Sequence, residues 1–303
     1  MRYLQFGIYL VCIGVGFWAR QKSRLSGHEA VRLSWWTGWV IYPAMAFSAI
    51  TTTFNRETLL SQWGLPVAEL AIMLFGALVA WIVIKMVRFP SPQMAGTFGF
   101  DLTIGNYIFL PLPLAIFLWG PEAAANIIVA SLGAEIPYWT IGVAFLSRGK
   151  FAFKKFFTPA LVALGLGVVE VLYATPEIHE GVMKANWVLS KVGAFTIPLA
   201  MLLLGFHLAG AIRSRWFQKE VMMVTIFRGV VIPLLFWLIL PFLPLSTDAK
   251  RSLFLVSTMP VAVASVYMSD LFDGDPEYAA KCVMVGHLFS IFSVPLWLAL
   301  FGY

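Results

Sequence analysis

GNYIFLPLPL, residues 105–114, and LVSTMPVAVAS, residues 255–265, place proline inside two stretches otherwise apolar enough to sit in a bilayer. Proline within a helix removes one backbone donor and clashes with the carbonyl four residues earlier, and hydrocarbon holds no water to satisfy what is freed. Pro111 and Pro113 are expected to free the carbonyls of Tyr107 and Phe109, with Gly105 and Asn106 loosening the helix just before. Pro260 is expected to free that of Val256, close to Ser257, Thr258 and Ser265. Both stretches therefore read as interrupted membrane helices with small polar side chains at the break.

Composition agrees. Of 303 residues, 60% are hydrophobic and 12% charged, with a mean hydropathy of +0.84, against about 25% charged in soluble domains. Since a helix needs roughly 20 mostly apolar residues to cross the hydrocarbon core, ten spans can be drawn, at 3–19, 35–52, 65–86, 98–118, 123–146, 156–174, 187–211, 220–243, 250–271 and 278–302. The expected fold is an all-α polytopic membrane protein.

The two interrupted spans are the fourth and the ninth, and a register explains the pairing. A shift of 155 residues carries Gly38 and Pro43 onto Gly193 and Pro198. The same shift carries Pro121, Glu122, Ala124, Ala125 and Ile136 onto Pro276, Glu277, Ala279, Ala280 and Ile291. Two copies of five spans, residues 1–150 and 151–303, must cross the bilayer in opposite senses, because five is odd. This 5+5 inverted repeat, with broken crossover helices 4 and 9, is a plan of secondary transporters. Their half-helix N-termini attract anions and their freed carbonyls attract cations near the midplane.

Basic residues report topology. Arg20, Lys22, Arg24 and Arg32, then Lys85 and Arg88, then Arg148, Lys150, Lys154 and Lys155, then Arg213, Arg215 and Lys219 follow the odd spans one to seven. Fewer lie opposite, chiefly Arg2, Arg56, Lys184, Lys250 and Arg251. By the positive-inside rule both termini lie outside the cytoplasm. The compact loops favour a plasma membrane, the inner membrane of a bacterium. The pI of 9.4 does not point to nucleic acid, since the basic residues are dispersed among loops. GVGFWARQKSR, residues 14–24, offers no small-residue cleavage pattern, so span one is read as retained. Cys12 and Cys282 fall inside spans as packing residues, and no cofactor or metal motif is found.

Ionisable groups inside spans are functional candidates, because inserting Asp, Lys or Arg at a helix centre costs about 3 kcal/mol. Asp101, Glu135 and His287 are the candidate carriers of a coupling ion. Taken singly, each has a plainer explanation: Asp101 at a wet helix edge, His287 bonded to a carbonyl across helices. Asp270 with Asp273 and Asp275 reads as a wet inner loop, Glu170 and His207 as packing or interface groups, and Arg228 as a side chain near the inner surface that can snorkel or pair with a carboxylate, with a direct role toward an anion as the alternative.

The order and spacing of VIYPAMAFSAI (40–50), GNYIFLPLPLAIFLWGPEA (105–123), LGAEIPYWTIGVAFLSRG (132–149), GAFTIPLAMLLLGFHLAG (193–210), FRGVVIP (227–233), STMPVAVASVYMSDLFDGDPEYAA (257–280) and SVPLWLALFG (293–302) resemble the auxin efflux carrier family. That family includes plant PIN-formed auxin carriers and bacterial malate permeases. The resemblance implies an NhaA-like fold, with a scaffold of helices 1, 2, 6 and 7 and a mobile transport domain of helices 3–5 and 8–10. It further implies a homodimer formed through the scaffold and a substrate at the crossing of the broken helices. Asn106 and Pro260 match the family's crossover residues. Ala264, followed by Ser265, stands where many relatives carry asparagine, which removes a donor for a carboxylate.

The expected function is secondary transport of a small organic anion by an elevator movement. Asn106, Tyr107, Pro111, Ser257, Thr258, Pro260 and Ser265 form the expected site. Coupling to a proton, or to Na+ through freed carbonyls and Asp101, are the two alternatives for drive, and an uncoupled carrier of a non-carboxylate solute is the alternative for cargo. An intramembrane enzyme would need a nucleophile and base or metal ligands at helical spacing. HExxH, GxSxG and GxGxxG in its strand–turn–helix context are all missing from the sequence. A receptor would have no use for two broken helices.

Overall fold

A computed structural model describes residues 2–149, 158–211 and 218–301. Lys150, Lys154, Lys155, Arg213, Arg215 and the His207 side chain lie outside the described residues. The chain is helical. Among the described residues five helices are long and apolar enough to cross a bilayer: Arg56–Met86, Pro121–Leu146, Pro176–Gly210, Lys219–Phe242 and Pro276–Phe301.

In chain order the elements begin with α1 (Arg2–Gln21), α2 (Gly27–Trp36) and α3 (Tyr42–Thr53). Next come α4 (Arg56–Ser61), α5 (Gly64–Met86), α6 (Pro92–Thr103), α7 (Pro111–Leu118), α8 (Pro121–Pro137) and α9 (Val143–Leu146). The rest are α10 (Pro159–Tyr173), α11 (Pro176–Gly193), α12 (Thr196–Ala211), α13 (Lys219–Ile226), α14 (Ile232–Ile239), α15 (Thr247–Ser257), α16 (Ser265–Leu271) and α17 (Pro276–Phe301). The starts of α5 and α13, of α6 and α15, and of α8 and α17 are each 155 residues apart.

Local chemistry sets these starts. Ser91, Thr158 and Thr175 cap the N–H three residues on and are each followed by proline at the first helical position, where its missing donor is no loss. Prolines deeper in the spans are met differently. Π-helical turns at Thr37–Ile41 and Phe227–Val231 stand just ahead of Pro43 and Pro233. A third, Tyr138–Gly142, follows Pro137. Proline 233 cannot donate to Gly229, and the indole N–H of Trp297 on α17 donates to that carbonyl instead, at 2.8 Å. Such single π turns recur at functional sites.

Lipid gives no hydrophobic drive for helices to meet, so close contact depends on small residues. Alpha-1 and α12 pack through reciprocal glycines, Gly16 against the Leu202 carbonyl and Gly205 against the Ile13 carbonyl. Helix α3 packs on α10 and α11, where Asn186 Nδ2 donates to Thr51 Oγ1 at 3.3 Å. Helix α5 lies between α8 and α6, and α15 reaches α8, where Ser252 Oγ donates to the Ala123 carbonyl at 3.3 Å.

Candidate functional site

Residues 104–110 separate α6 from α7, and residues 258–264 separate α15 from α16. The two gaps cross as an antiparallel bridge between Gly105 and Val261. Asn106 N–H donates to the Pro260 carbonyl at 2.8 Å, and Ala262 N–H to the Ile104 carbonyl at 3.4 Å. Each gap thus satisfies part of the other's backbone in a medium that cannot.

One of the three carbonyls expected to be freed, that of Val256, has a partner, and the first proline acts differently from expected. Pro111 does not break a helix but opens α7 as its first residue, and Val256 O accepts the Met259 N–H at 3.1 Å. Arg228, expected near the inner surface, is instead 3% exposed at the crossing. Its Nη1 donates to Leu102 O at 3.5 Å and its Nη2 to Met259 O at 3.2 Å. The guanidinium fills the space a side chain at residue 105 would occupy, which explains the glycine. A cation there also suits the negative ends of α6 and α15. Glu69, an intramembrane carboxyl the sequence reading passed over, and Asp101 both interact electrostatically with Arg228.

Asp101 is fully buried rather than at a wet edge. Ser265 Oγ donates to its Oδ1, while Oδ2 has no hydrogen-bond partner among the described residues. Asn106 Oδ1 accepts from the N–H groups of Phe109 and Leu110, at 3.0 and 3.2 Å. This fixes the orientation of its amide, so Nδ2 faces His287 Nε2 at 3.4 Å. His287 Nδ1 lies 2.6 Å from the Val283 carbonyl, which can only accept. The imidazole is therefore the neutral Nδ1–H tautomer with Nε2 accepting from Asn106, and its carbonyl partner is in its own helix.

Tyr107, next in the chain, reaches the other way. Its hydroxyl donates to Glu135 Oε1 at 3.2 Å, and the Trp139 indole N–H donates to Oε2 at 3.0 Å. Glu135 borders a cavity of about 900 Å³, open space at its mouth included, between the two gaps and α2, α3, α10 and α12. Trp39, Tyr42, Tyr107, Phe109, Tyr138 and Trp139 supply its aromatic lining, and Asn106 and Ala262–Ala264 its crossing side.

Ser257 and Thr258 do not join this cavity. Their hydroxyls bond back to Phe254 O and Leu255 O, at 2.7 Å each. Thr258 and Pro260 border a smaller space of about 220 Å³ with Arg228 and Ser290. Asp270 is exposed and Asp273 pairs with Arg148, as a wet loop requires. Glu170 bonds His179 Nδ1 at 2.6 Å, away from the crossing. The expected anion finds no cationic side chain on the larger cavity: its lining contains no Lys, Arg or His among the described residues. Nor does the start of α7 offer donors. Asn106 takes two of its N–H groups, Leu112 N–H bonds Ile108 O at 3.1 Å, and Pro111 and Pro113 have none.

Apolar helices interrupted in pairs, with a buried polar site at the interruption, define a polytopic membrane carrier. The family model described as "membrane transport protein" matches residues 6–152 and 143–298, and the chain belongs to that family, the auxin efflux carriers. It is similar to an uncharacterized transporter of Methanocaldococcus jannaschii, 24% identical over 96% of each chain. An uncharacterized transporter of Methanothermobacter thermautotrophicus is 24% identical over 82% of this chain and 83% of its own. Protein PIN-LIKES 1 of Arabidopsis thaliana is 28% identical over 34% of this chain and 22% of its own. The chain is a membrane transporter and not an enzyme.

Proposed function

We propose that the chain is a secondary transporter whose small organic substrate binds in the cavity at the crossing and is carried by an elevator movement. The observation that carries this reading is the position of the cavity. One wall is the pair of crossed gaps with α8, and the other is α2, α3, α10 and α12. Displacing one wall against the other is what would open the site to alternate sides.

The proposed architecture has ten spans as a 5+5 inverted repeat, residues 1–150 and 151–303. Spans 1, 2, 6 and 7 are the scaffold and spans 3–5 and 8–10 the transport domain. Helix starts 155 residues apart support it. So does the crossing, because that shift exchanges the pair Gly105–Val261 with the pair Asn106–Pro260. A homodimer through the scaffold, a bacterial inner membrane and termini outside the cytoplasm complete the proposal.

Among the coupling candidates the geometry favours Glu135, which borders the cavity. Asp101 is engaged by Ser265, and His287 is committed to Val283 and Asn106. Sodium is disfavoured, because Arg228 already occupies two of the carbonyls a cation would use. Uptake of labelled carboxylates, amines and neutral solutes into proteoliposomes, under imposed proton or sodium gradients, tests the reading. Saturable, sodium-independent uptake that Asn106→Ala abolishes supports it; failure of every solute to enter overturns it. Spin labels on α11 and α17 should change separation by several ångströms between conditions, and a fixed separation during turnover excludes the elevator.

A further inference from the structure

We infer that the substrate is an organic cation with an aromatic or apolar body, bound against Glu135 and the surrounding ring faces. This rests on the transporter reading above and gives that site its cargo class.

The inference begins with charge. Glu135 is the single Asp, Glu, Lys, Arg or His among the described residues lining the cavity. It is 3% exposed, and its two hydrogen bonds are from a phenol and an indole, donors that stabilise a carboxylate without neutralising it. A carboxylate has about four acceptor positions, so two remain for a ligand ammonium or guanidinium. Ionised at that depth it needs a partner, and among the described residues no cationic side chain lines the cavity to supply one. Arg228, at the crossing, is not in the cavity lining and interacts electrostatically with two other carboxyls, Glu69 and Asp101.

The lining points the same way. Trp39 and Trp139 have ring centroids 6.3 Å apart, Tyr138 and Trp139 5.0 Å, and Tyr107 and Tyr138 6.3 Å. Their planes stand at 79°, 60° and 72° to one another, so edges as well as faces of these rings surround the carboxyl, the edges of Tyr107 and Trp139 bonding it and the faces left for a ligand. Faces of Trp and Tyr attract cations electrostatically, more strongly once water is excluded. An anion would meet those negative faces and Glu135 together. The donors that would compensate it are missing from the start of α7, whose N–H groups are consumed or absent.

A matched set of phenethylamine, 2-phenylethanol and phenylacetate holds the ring constant and varies the charge. Binding to the detergent-purified full chain by calorimetry and uptake into proteoliposomes are both measured. The amine should bind about tenfold or more tightly than the alcohol, as a charge-assisted contact predicts, with the acid weakest. Glu135→Gln should remove the preference for the amine and leave alcohol binding in place. Trp39→Leu, which leaves both hydrogen bonds to Glu135 intact, should weaken the amine several-fold more than the alcohol. Preference for the acid, equal binding of all three, or binding of none overturns the cation assignment. Amine binding while none of the three solutes enters retains the assignment and overturns uptake through this cavity, and uptake of the acid without amine binding does the reverse.

Discussion

Arg228 and Gly105 share one volume: the guanidinium lies where a side chain at residue 105 would stand. The arginine comes from the π turn ahead of Pro233 and the glycine from the gap between α6 and α7. Gly105→Ala must push the guanidinium off the Leu102 and Met259 carbonyls. Overpacking of this kind costs about 1–3 kcal/mol, so the melting temperature in detergent should fall and uptake should be lost. An unchanged melting temperature would show that the arginine has other room.

Arg228→Met removes the cation from Glu69, Asp101 and two backbone carbonyls. Breaking a buried charge cluster on one side costs about 3–5 kcal/mol. Adding Glu69→Gln to Arg228→Met should recover part of that loss. A double-mutant cycle by chemical denaturation reads the coupling, and strict additivity would separate the two residues.

Asn106→Ala leaves the N–H groups of Phe109 and Leu110 without their acceptor, at a cap-like cost of about 1–2 kcal/mol. Asn106→Asp keeps the acceptor and should retain most of the stability, while placing a carboxylate against His287 Nε2. Thermal melts of the two variants should therefore diverge, with Asp above Ala at neutral pH. Equal melts would assign the asparagine's contribution to the His287 contact alone.

Outside the spans, Ser26 and Glu29 form a capping box at the start of α2. Hydrogen bonds from the Ser26 backbone N–H and then its hydroxyl hold the Glu29 carboxyl below its usual pKa. A carboxyl lowered on folding contributes stability above its unfolded pKa of about 4.3. That contribution disappears as pH falls through the lower folded value. Protection of the α2 amides, taken relative to intrinsic exchange at each pH, should fall below about pH 4, and Glu29→Gln, which still caps, should flatten that response. Identical pH profiles would remove the carboxyl's role.

The break sites were legible because proline and glycine act locally: residues 105–114 and 255–265 each contain a gap between half-helices. Which carbonyls are freed was not, since whether a proline interrupts a helix or begins the next depends on where the preceding one stops. Asn106, Tyr107 and Ser265 make polar contacts at the crossing, whereas Ser257 and Thr258 turn back onto their own helix, a choice of rotamer no spacing encodes. Arg228 and Glu69 carried a signal, an ionisable residue within a span, but their meeting at the crossing is a matter of tertiary packing. Of the rings around Glu135 the sequence singles out only Tyr107, since Trp39, Tyr138 and Trp139 come to it from two distant π turns that meet the first gap only in the folded chain.

The backbone pairing at the crossing also sets the order of biosynthesis. When the first half has entered the bilayer, Ile104 O and Asn106 N–H have no partner, because Ala262 and Pro260 have yet to be made. The early insertion intermediate is therefore obliged to keep that segment near water, lipid headgroups or the insertion machinery until the second half arrives. The crossing can close only once residues 258–264 have been made, and truncation before them should leave a product that quality-control proteases recognise.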